Sequence, residues 1–266
     1  MSRTLFGLAL ASLIVMSGNA FADSFTFLSP GDVTWNGVYV NPYQAQDNTQ
    51  TTVNPLTIFC DDWNTDFSGN PTWNANVYTL TLGNTSNLKY GNTTPEYNIT
   101  LNNNTLGYTS VPVVLPTGSF NRYLEVAYLD GELQTALANG SLSANQKTLA
   151  QQEISTAEWT LFVDSSHVAG LIGAINNPTI SPGNFALDVY NYLQGAQTAV
   201  VTNKTFTGAG WDVIVPVGNN SNGGPMQEFL VHGFSGDTVP EPSAVILLGS
   251  IVGILALTKF RRKLQT

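Results

Sequence analysis

Ser143-Ala144-Asn145-Gln146-Lys147-Thr148-Leu149-Ala150-Gln151-Gln152-Glu153-Ile154-Ser155-Thr156-Ala157-Glu158-Trp159-Thr160-Leu161-Phe162 decides the class of this fold. Ser143 is a residue type that caps helix N-termini, and Leu149, Ile154, Ala157, Leu161 and Phe162 follow it at helical spacing. The neighbouring segments agree. Ser119 to Ala138 reads as a helix with Leu124, Ala127, Tyr128 and Leu133 near one face, weakened at its centre by Gly131. Val168–Ile175 is a short apolar segment stopped by Asn177-Pro178, and Asn184 to about Gln197 is a further helix showing Phe185, Val189, Tyr192 and Leu193. A helical part therefore occupies about 119–197.

Outward from it on both sides the pattern changes to short apolar–polar alternations broken by Gly, Pro and Asn. Expected strands are Ser24–Leu28, Gly37–Val40, Leu56–Cys60, Val77–Leu82, Tyr97–Leu101 and Val111–Leu115 before the helices. Trp211–Val217 and Gln227–Phe234 follow them. The Asn/Thr-dense stretch Gly83–Tyr108 has no fixed period, so a solenoid is not expected. The reading is an α+β domain: a β-rich sandwich or barrel-like body with a central inserted helical subdomain, its last strands rejoining its first sheet.

Both ends read as processing segments, outside the fold. Arg3, the apolar Leu5–Met16 and the small-residue site at Ala20 and Ala22 form a signal peptide over 1–22, cut before Asp23. At the other end, 239–266 joins Val239-Pro240-Glu241-Pro242-Ser243 to an apolar run and a stop cluster of Lys259, Arg261, Arg262 and Lys263. The two prolines hold the chain extended, and the cations mark a cytoplasmic end. From Ala244 to Thr258 the run is 15 residues, about 22 Å of helix, against the roughly 20 residues a stable span wants. Including Phe260 stretches the membrane segment to about 244–260. An ordinary retained anchor is the alternative reading.

This tail resembles the PEP-CTERM sorting signal of bacterial exported proteins. The resemblance implies an exosortase-type membrane protease as partner, acting near Pro240-Glu241-Pro242. It further implies a transient stay in the inner membrane, then the cell surface or the medium, and a setting of exopolysaccharide and biofilm. The exported domain, 23–238, is short of cations. Between Asp23 and Glu241 all eighteen acidic residues face only Lys89, Arg122, Lys147 and Lys204, a balance of −14 that repels nucleic acid and anionic lipid.

Cys60 is the single cysteine, so no disulfide within the chain supports the fold. Phe59-Cys60-Asp61-Asp62-Trp63 ends a strand, and Gln151 to Trp159 follows on a helix. Together with Tyr123-Leu124-Glu125-Val126-Ala127-Tyr128-Leu129 they resemble the thioester domains of bacterial surface adhesins, over roughly 35–235. In that family an aromatic-Cys-x-Asp strand end faces a Gln-x-Ala-x-Trp helix, and sulfur and glutamine condense with loss of ammonia. The thioester-like site is therefore Cys60, Ser155, Gln151 and Trp159. Ser155 stands where the resemblance puts the glutamine, and a hydroxyl has no acyl carbon. Gln151 lies one turn, about 6 Å, away. The expectation is a family fold whose crosslink is lost and whose Cys60 is a buried small hydrophobe; a covalent adhesin through Cys60 is the alternative.

Asp62, Asn64, Asp66 and Ser68 sit at the alternate spacing of a calcium loop, but Phe67 replaces its glycine and Trp73 its last glutamate, so solvated turn carboxylates compete with calcium. No other cofactor is indicated. His167 and His232 fit neither a nucleophile elbow nor a zinc spacing. Glu153 with Glu158, or Asp130 with Glu132, can be imagined as glycosidase pairs, though exposed helix faces are the plainer expectation. Trp63 and Trp73 are the tryptophans expected to face a ligand. The overall reading is a non-enzymatic, structural or adhesive envelope protein, with a carbohydrate-binding or carbohydrate-active protein as the second alternative.

Overall fold

The computed structural model describes residues 22–50, 54–61, 63, 69–80, 85–91, 99–103, 108–113, 119–177, 179–181 and 183–234. Ala20, Asp62, Asn64, Asp66, Ser68 and the whole of 239–266 lie outside the described residues. No helix among the described residues is long and apolar enough to cross a membrane.

The chain is α+β. Among the described residues ten strands run in order: β1 (Asp23–Ser29), β2 (Thr34–Trp35), β3 (Val38–Tyr39), β4 (Tyr43–Asp47), β5 (Leu56–Cys60), β6 (Thr72–Thr79), β7 (Ile99–Asn103), β8 (Tyr108–Val113), and, after the helices, β9 (Trp211–Val217) and β10 (Phe229–His232). Between β8 and β9 come α1 (Ser119–Ala138), α2 (Ala144–Phe162), α3 (Val168–Ile175) and α4 (Phe185–Gln197). Six strands close an antiparallel barrel in the order β1-β4-β5-β10-β9-β6, with β6 returning to β1. The last two strands thus rejoin the first sheet. β2–β3 and β7–β8 are separate hairpins.

Side-chain alternation divides the core in two. Phe25, Phe27, Ile58, Cys60, Trp73, Phe229 and Val231 fill the barrel, with the small Ala45 and Ala75 making room for the rings. Phe59, Leu230 and Val213, one residue out of phase, point outward and pack with Leu129, Leu133, Ile154 and Trp159 of the helices. The last three residues of β5, the first four of β9 and the first three of β10 are therefore covered on both faces and read as nearly unbroken apolar runs. β1, β4 and β6 keep one half-exposed face and alternate. Helix α2 starts with a capping box: Gln146 N–H donates to Ser143 Oγ at 3.4 Å, and Ser143 N–H donates to Gln146 Oε1 at 2.9 Å.

The sequence pattern missed β4 and the first half of β6. In Tyr43-Gln44-Ala45-Gln46-Asp47 the inward residues are Tyr, Ala and Asp, which carry little apolar signal. In Thr72–Asn76 two asparagines flank Ala75 and hide the alternation. The strand expected at Val77–Leu82 consequently begins five residues earlier and ends at Thr79. Trp73 is 3% exposed inside the barrel, not turned to a ligand.

The packing makes two substitutions informative. Leu129→Ala empties a fully buried site between helices and barrel and should cost about 2–5 kcal/mol. Gly131→Ala adds a methyl that meets nothing within 4 Å and should stabilise by about 0.5–1 kcal/mol. Urea unfolding midpoints measure both.

Candidate functional site

Cys60 ends β5, buried, and its sulfur meets a partner from the far end of the chain. β10 pairs with β5 in the register Phe229↔Cys60, Leu230↔Phe59, Val231↔Ile58. Gln227, two residues before Phe229, shares the face of Cys60 and lies diagonally across from it, within reach of a long side chain. Cys60 Sγ donates to Gln227 Oε1 at 3.0 Å. Because a C=O bond is about 1.23 Å long, the carboxamide carbon lies no more than about 4.2 Å from the sulfur.

Residues one step along each strand point the other way. Continuing the register sets Asp61 opposite Glu228 on the outer face of the barrel, against the helices. Both are fully buried. Tyr123 of α1 donates its hydroxyl to Glu228 Oε1 and accepts from Tyr90 N–H at 3.0 Å, while Lys89 N–H donates to Glu228 Oε2 at 2.9 Å. Burial, then the charges of Glu228 and Asp61, push the Tyr123 phenol well above its ordinary range. Asp130 of α1 and Glu158 of α2 face each other, both fully buried. Burial raises both, and for Asp130 the facing Glu158 raises it further, so the pair holds protons where ordinary carboxyls are ionised.

The helix residues expected around Cys60 meet it through an intermediary. Cys60 N–H donates to Asn41 Oδ1 at 2.7 Å, and Asn41 Nδ2 donates to Cys60 O at 3.0 Å and also to Glu158 Oε2. The Asn41 backbone rests on α2: its N–H donates to Ser155 Oγ at 3.0 Å and its carbonyl accepts from Gln151 Nε2 at 3.1 Å. Gln151 and Ser155 therefore hydrogen-bond Asn41, and Gln227 is the carboxamide that reaches the sulfur. Trp159 packs 6.4 Å from Trp35 and 4.9 Å from Trp63, and Trp35 stacks on Phe185 of α4 at 5.4 Å. Trp63 is thus tied into this aromatic cluster.

A second group of acids lies across α2. Glu153 is displaced from Gln151 by about 200° around the helix, on the side away from Asn41. It lines a cavity of about 270 Å³ with Tyr128, Glu132, Asp188, Asn191, Tyr192 and Gly195. Burial and then the charge of neighbouring Asp188 push Glu153 up to about 8. Glu125 of α1, 1% exposed, is pushed by burial to about 8 despite the opposing charge of Arg122. The expectation that Asp130, Glu153 and Glu158 lie on exposed helix faces is corrected: these carboxyls are buried, because the helices carry acids on the faces that meet each other and the barrel. His167 and His232 are exposed. Among the described residues, no three His, Cys, Asp or Glu side chains form a group that could hold a metal ion.

Sequence reasoning missed Asn41, Glu228 and above all Gln227. The available signal was a glutamine at the head of the last apolar run, Met226-Gln227-Glu228-Phe229, in a chain with one cysteine at the end of another. No protein-family model, no curated protein and no solved structure matches this chain.

The raised carboxyls set a pH dependence. Glu125, Glu153 and Glu158 keep protons in the folded chain to about 8 that the unfolded chain releases near the ordinary 4.5. Their contribution is fully present below about 4.5 and is lost as pH rises through about 8. Thermal scans should therefore give a higher Tm at pH 5 than at pH 8; a Tm that rises with pH over this interval contradicts the assignment.

Proposed function

We propose that this chain is an exported cell-envelope protein that attaches covalently, through an internal thioester between Cys60 and Gln227. The observation that carries the reading is the 3.0 Å approach of Cys60 Sγ to Gln227 Oε1 between two paired barrel strands. The resemblance to thioester domains at Phe59-Cys60 and Ala157-Glu158-Trp159 supports it, and Gln227 supplies the acyl carbon that Ser155 lacks.

The chemistry follows from the pairing. The thiol adds to Gln227 Cδ, the Sγ–Cδ bond forms and the Cδ–Nε2 bond breaks, and the thiol proton leaves on nitrogen as ammonia. An amine or hydroxyl on a target surface then attacks Cδ, giving an amide or ester and returning Cys60 as a thiol. Holding the sulfur within about 4.2 Å of the acyl carbon replaces a bimolecular encounter with an intramolecular one. Cys60 is buried and Gln227 half-buried, so the sulfur is shielded from water and a partner approaches from the Gln227 side.

Destination rests on the termini. A signal peptide over 1–22 and the Val239-Pro240-Glu241-Pro242-Ser243 tail support export and handling by an exosortase-type protease, with a surface or matrix role near exopolysaccharide. The module is a single-use attachment device, not a turnover enzyme. A glycosidase reading is not favoured: Glu158 and Asp130 are fully buried, so each imagined pair, Glu153 with Glu158 and Asp130 with Glu132, has a carboxyl that no sugar reaches.

Intact-mass analysis of the full chain tests the attachment chemistry. The wild type should lack one ammonia and take up methylamine at Gln227. Cys60→Ala and Gln227→Ala should keep full mass for their sequences and take up none. A freely alkylatable Cys60 in the native wild type, with no mass deficit, overturns the reading. Intact mass of protein from its producer also reports the tail: cleavage near Pro240-Glu241-Pro242 is expected, and an uncut, membrane-retained chain contradicts sorting.

A further inference from the structure

Asn41 occupies an unusual place in the barrel. β4 pairs with β5 as Tyr43↔Ile58, Gln44↔Thr57 and Ala45↔Leu56. Continuing that register by two residues brings Asn41 opposite Cys60. The backbone has left the ladder there, since its N–H and carbonyl go to Ser155 and Gln151 of α2. In its place the side-chain carboxamide completes the ladder: Oδ1 receives Cys60 N–H at 2.7 Å and Nδ2 serves Cys60 O at 3.0 Å. The carboxamide offers an acceptor and a donor in this parallel arrangement, and the needs of Cys60 fix which end is nitrogen. The second Nδ2 proton goes to Glu158 Oε2. Asn41 is fully buried, and the polar groups of its backbone and side chain are engaged.

The consequence reaches the sulfur. A strand end is free to fray, and Cys60 is the last residue of β5. Clamping both its backbone groups from a helix-seated residue holds its Cα, and so the direction of Sγ, relative to β10 and Gln227. Resting on the Cys60–Gln227 reading above, we propose that Asn41 is the positioning residue for thioester formation, and that Ser155 and Gln151 of α2 are its seat. The helix face resembling the family's acyl-donor position would thus serve the reaction at one remove, by aiming the nucleophile. Asn41 touches none of the reacting atoms, and its effect is on the rate at which ammonia is lost.

The test uses full-length chain purified unfolded, refolded, and followed by intact mass against time, with near-UV circular dichroism reporting the fold. Wild type should lose one ammonia. Asn41→Ala should lose it about 100-fold more slowly, the effect of a displacement near 1 Å, with a native spectrum. Ser155→Ala, which leaves the carboxamide and removes one contact of its seat, should be slowed less, and it provides the reading if Asn41→Ala does not fold. Asn41→Asp separates aim from mere packing. A protonated carboxyl offers Cys60 the same acceptor and donor as the carboxamide, a carboxylate only acceptors. Its rate relative to wild type at the same pH should therefore approach one near pH 5 and fall near pH 9. The titratable group that meets it is Glu158 of α2, with Asp130 of α1 beside Glu158 and Asp61, at the end of β5, interacting with Asp130; all are acidic, and the comparison with wild type at each pH sets their effect on the wild-type rate aside. Ammonia loss at the wild-type rate in Asn41→Ala, or in Ser155→Ala together with a pH-independent Asn41→Asp ratio, overturns this inference while leaving the Cys60–Gln227 reading intact. A wild type that folds and keeps its ammonia overturns both.

Discussion

The antiparallel pairing of β5 with β10 is the constraint on which the rest depends. It joins residues from opposite ends of the domain, Cys60 and Gln227 being 167 positions apart, and it closes the barrel. Closure gives Ile58, Cys60, Phe229 and Val231 one interior and gives Phe59 and Leu230 a second core beneath the helices. Without this pair, β5 and β10 would each expose a sheet edge and two apolar faces. The helical insertion occupies the space between, and its packing on Phe59 and Leu230 gives the strands a covered outer face. Register, core division and the meeting of sulfur with carboxamide follow from one set of ladder bonds.

Between barrel and helices lies a layer of buried acids, Asp61, Asp130, Glu158 and Glu228. Such groups cost free energy unless they are neutral or richly hydrogen-bonded. Both devices occur here. Glu228 is served by Tyr123, whose own oxygen is served by Tyr90, and by the Lys89 amide. Asp130 and Glu158 face each other with raised proton affinity, and Asn41 links Glu158 to the Cys60 backbone. Polar groups of this kind add little net stability, but they fix one arrangement among several that an apolar interface would tolerate. What they fix is the geometry of the two strand ends that carry Cys60 and Gln227.

Much of the frame was legible in local pattern. The boundaries of β5, α1, α3 and β9 fall where the apolar periodicity changes, and Ser143 marks the start of α2 because its capping box is a local device. The return of the last strands to the first sheet was also readable, since helices bracketed by strand patterns leave few alternatives. β4 was hidden by its small and acidic inward residues, Ala45 and Asp47. The site was less legible, for a different reason. Ser155 and Gln151 lie near Cys60 in sequence resemblance and in space, but their contact runs through Asn41, whose role depends on the backbone staying out of the ladder that begins at Tyr43. Gln227 becomes a partner only through the register of a long-range strand pair, and no local periodicity encodes which residue of one strand faces which of another. The burial of Asp130, Glu153 and Glu158 was not legible because a carboxylate on a helical stripe carries no sign of whether that stripe meets water or protein.

A crystal structure of the exported chain at a resolution that separates bonded from non-bonded atoms tests the central claim most directly. Continuous density from Cys60 Sγ to Gln227 Cδ, with no nitrogen remaining on that carbon, is the predicted result. A complete Gln227 carboxamide hydrogen-bonded to a separate Cys60 thiol would contradict it.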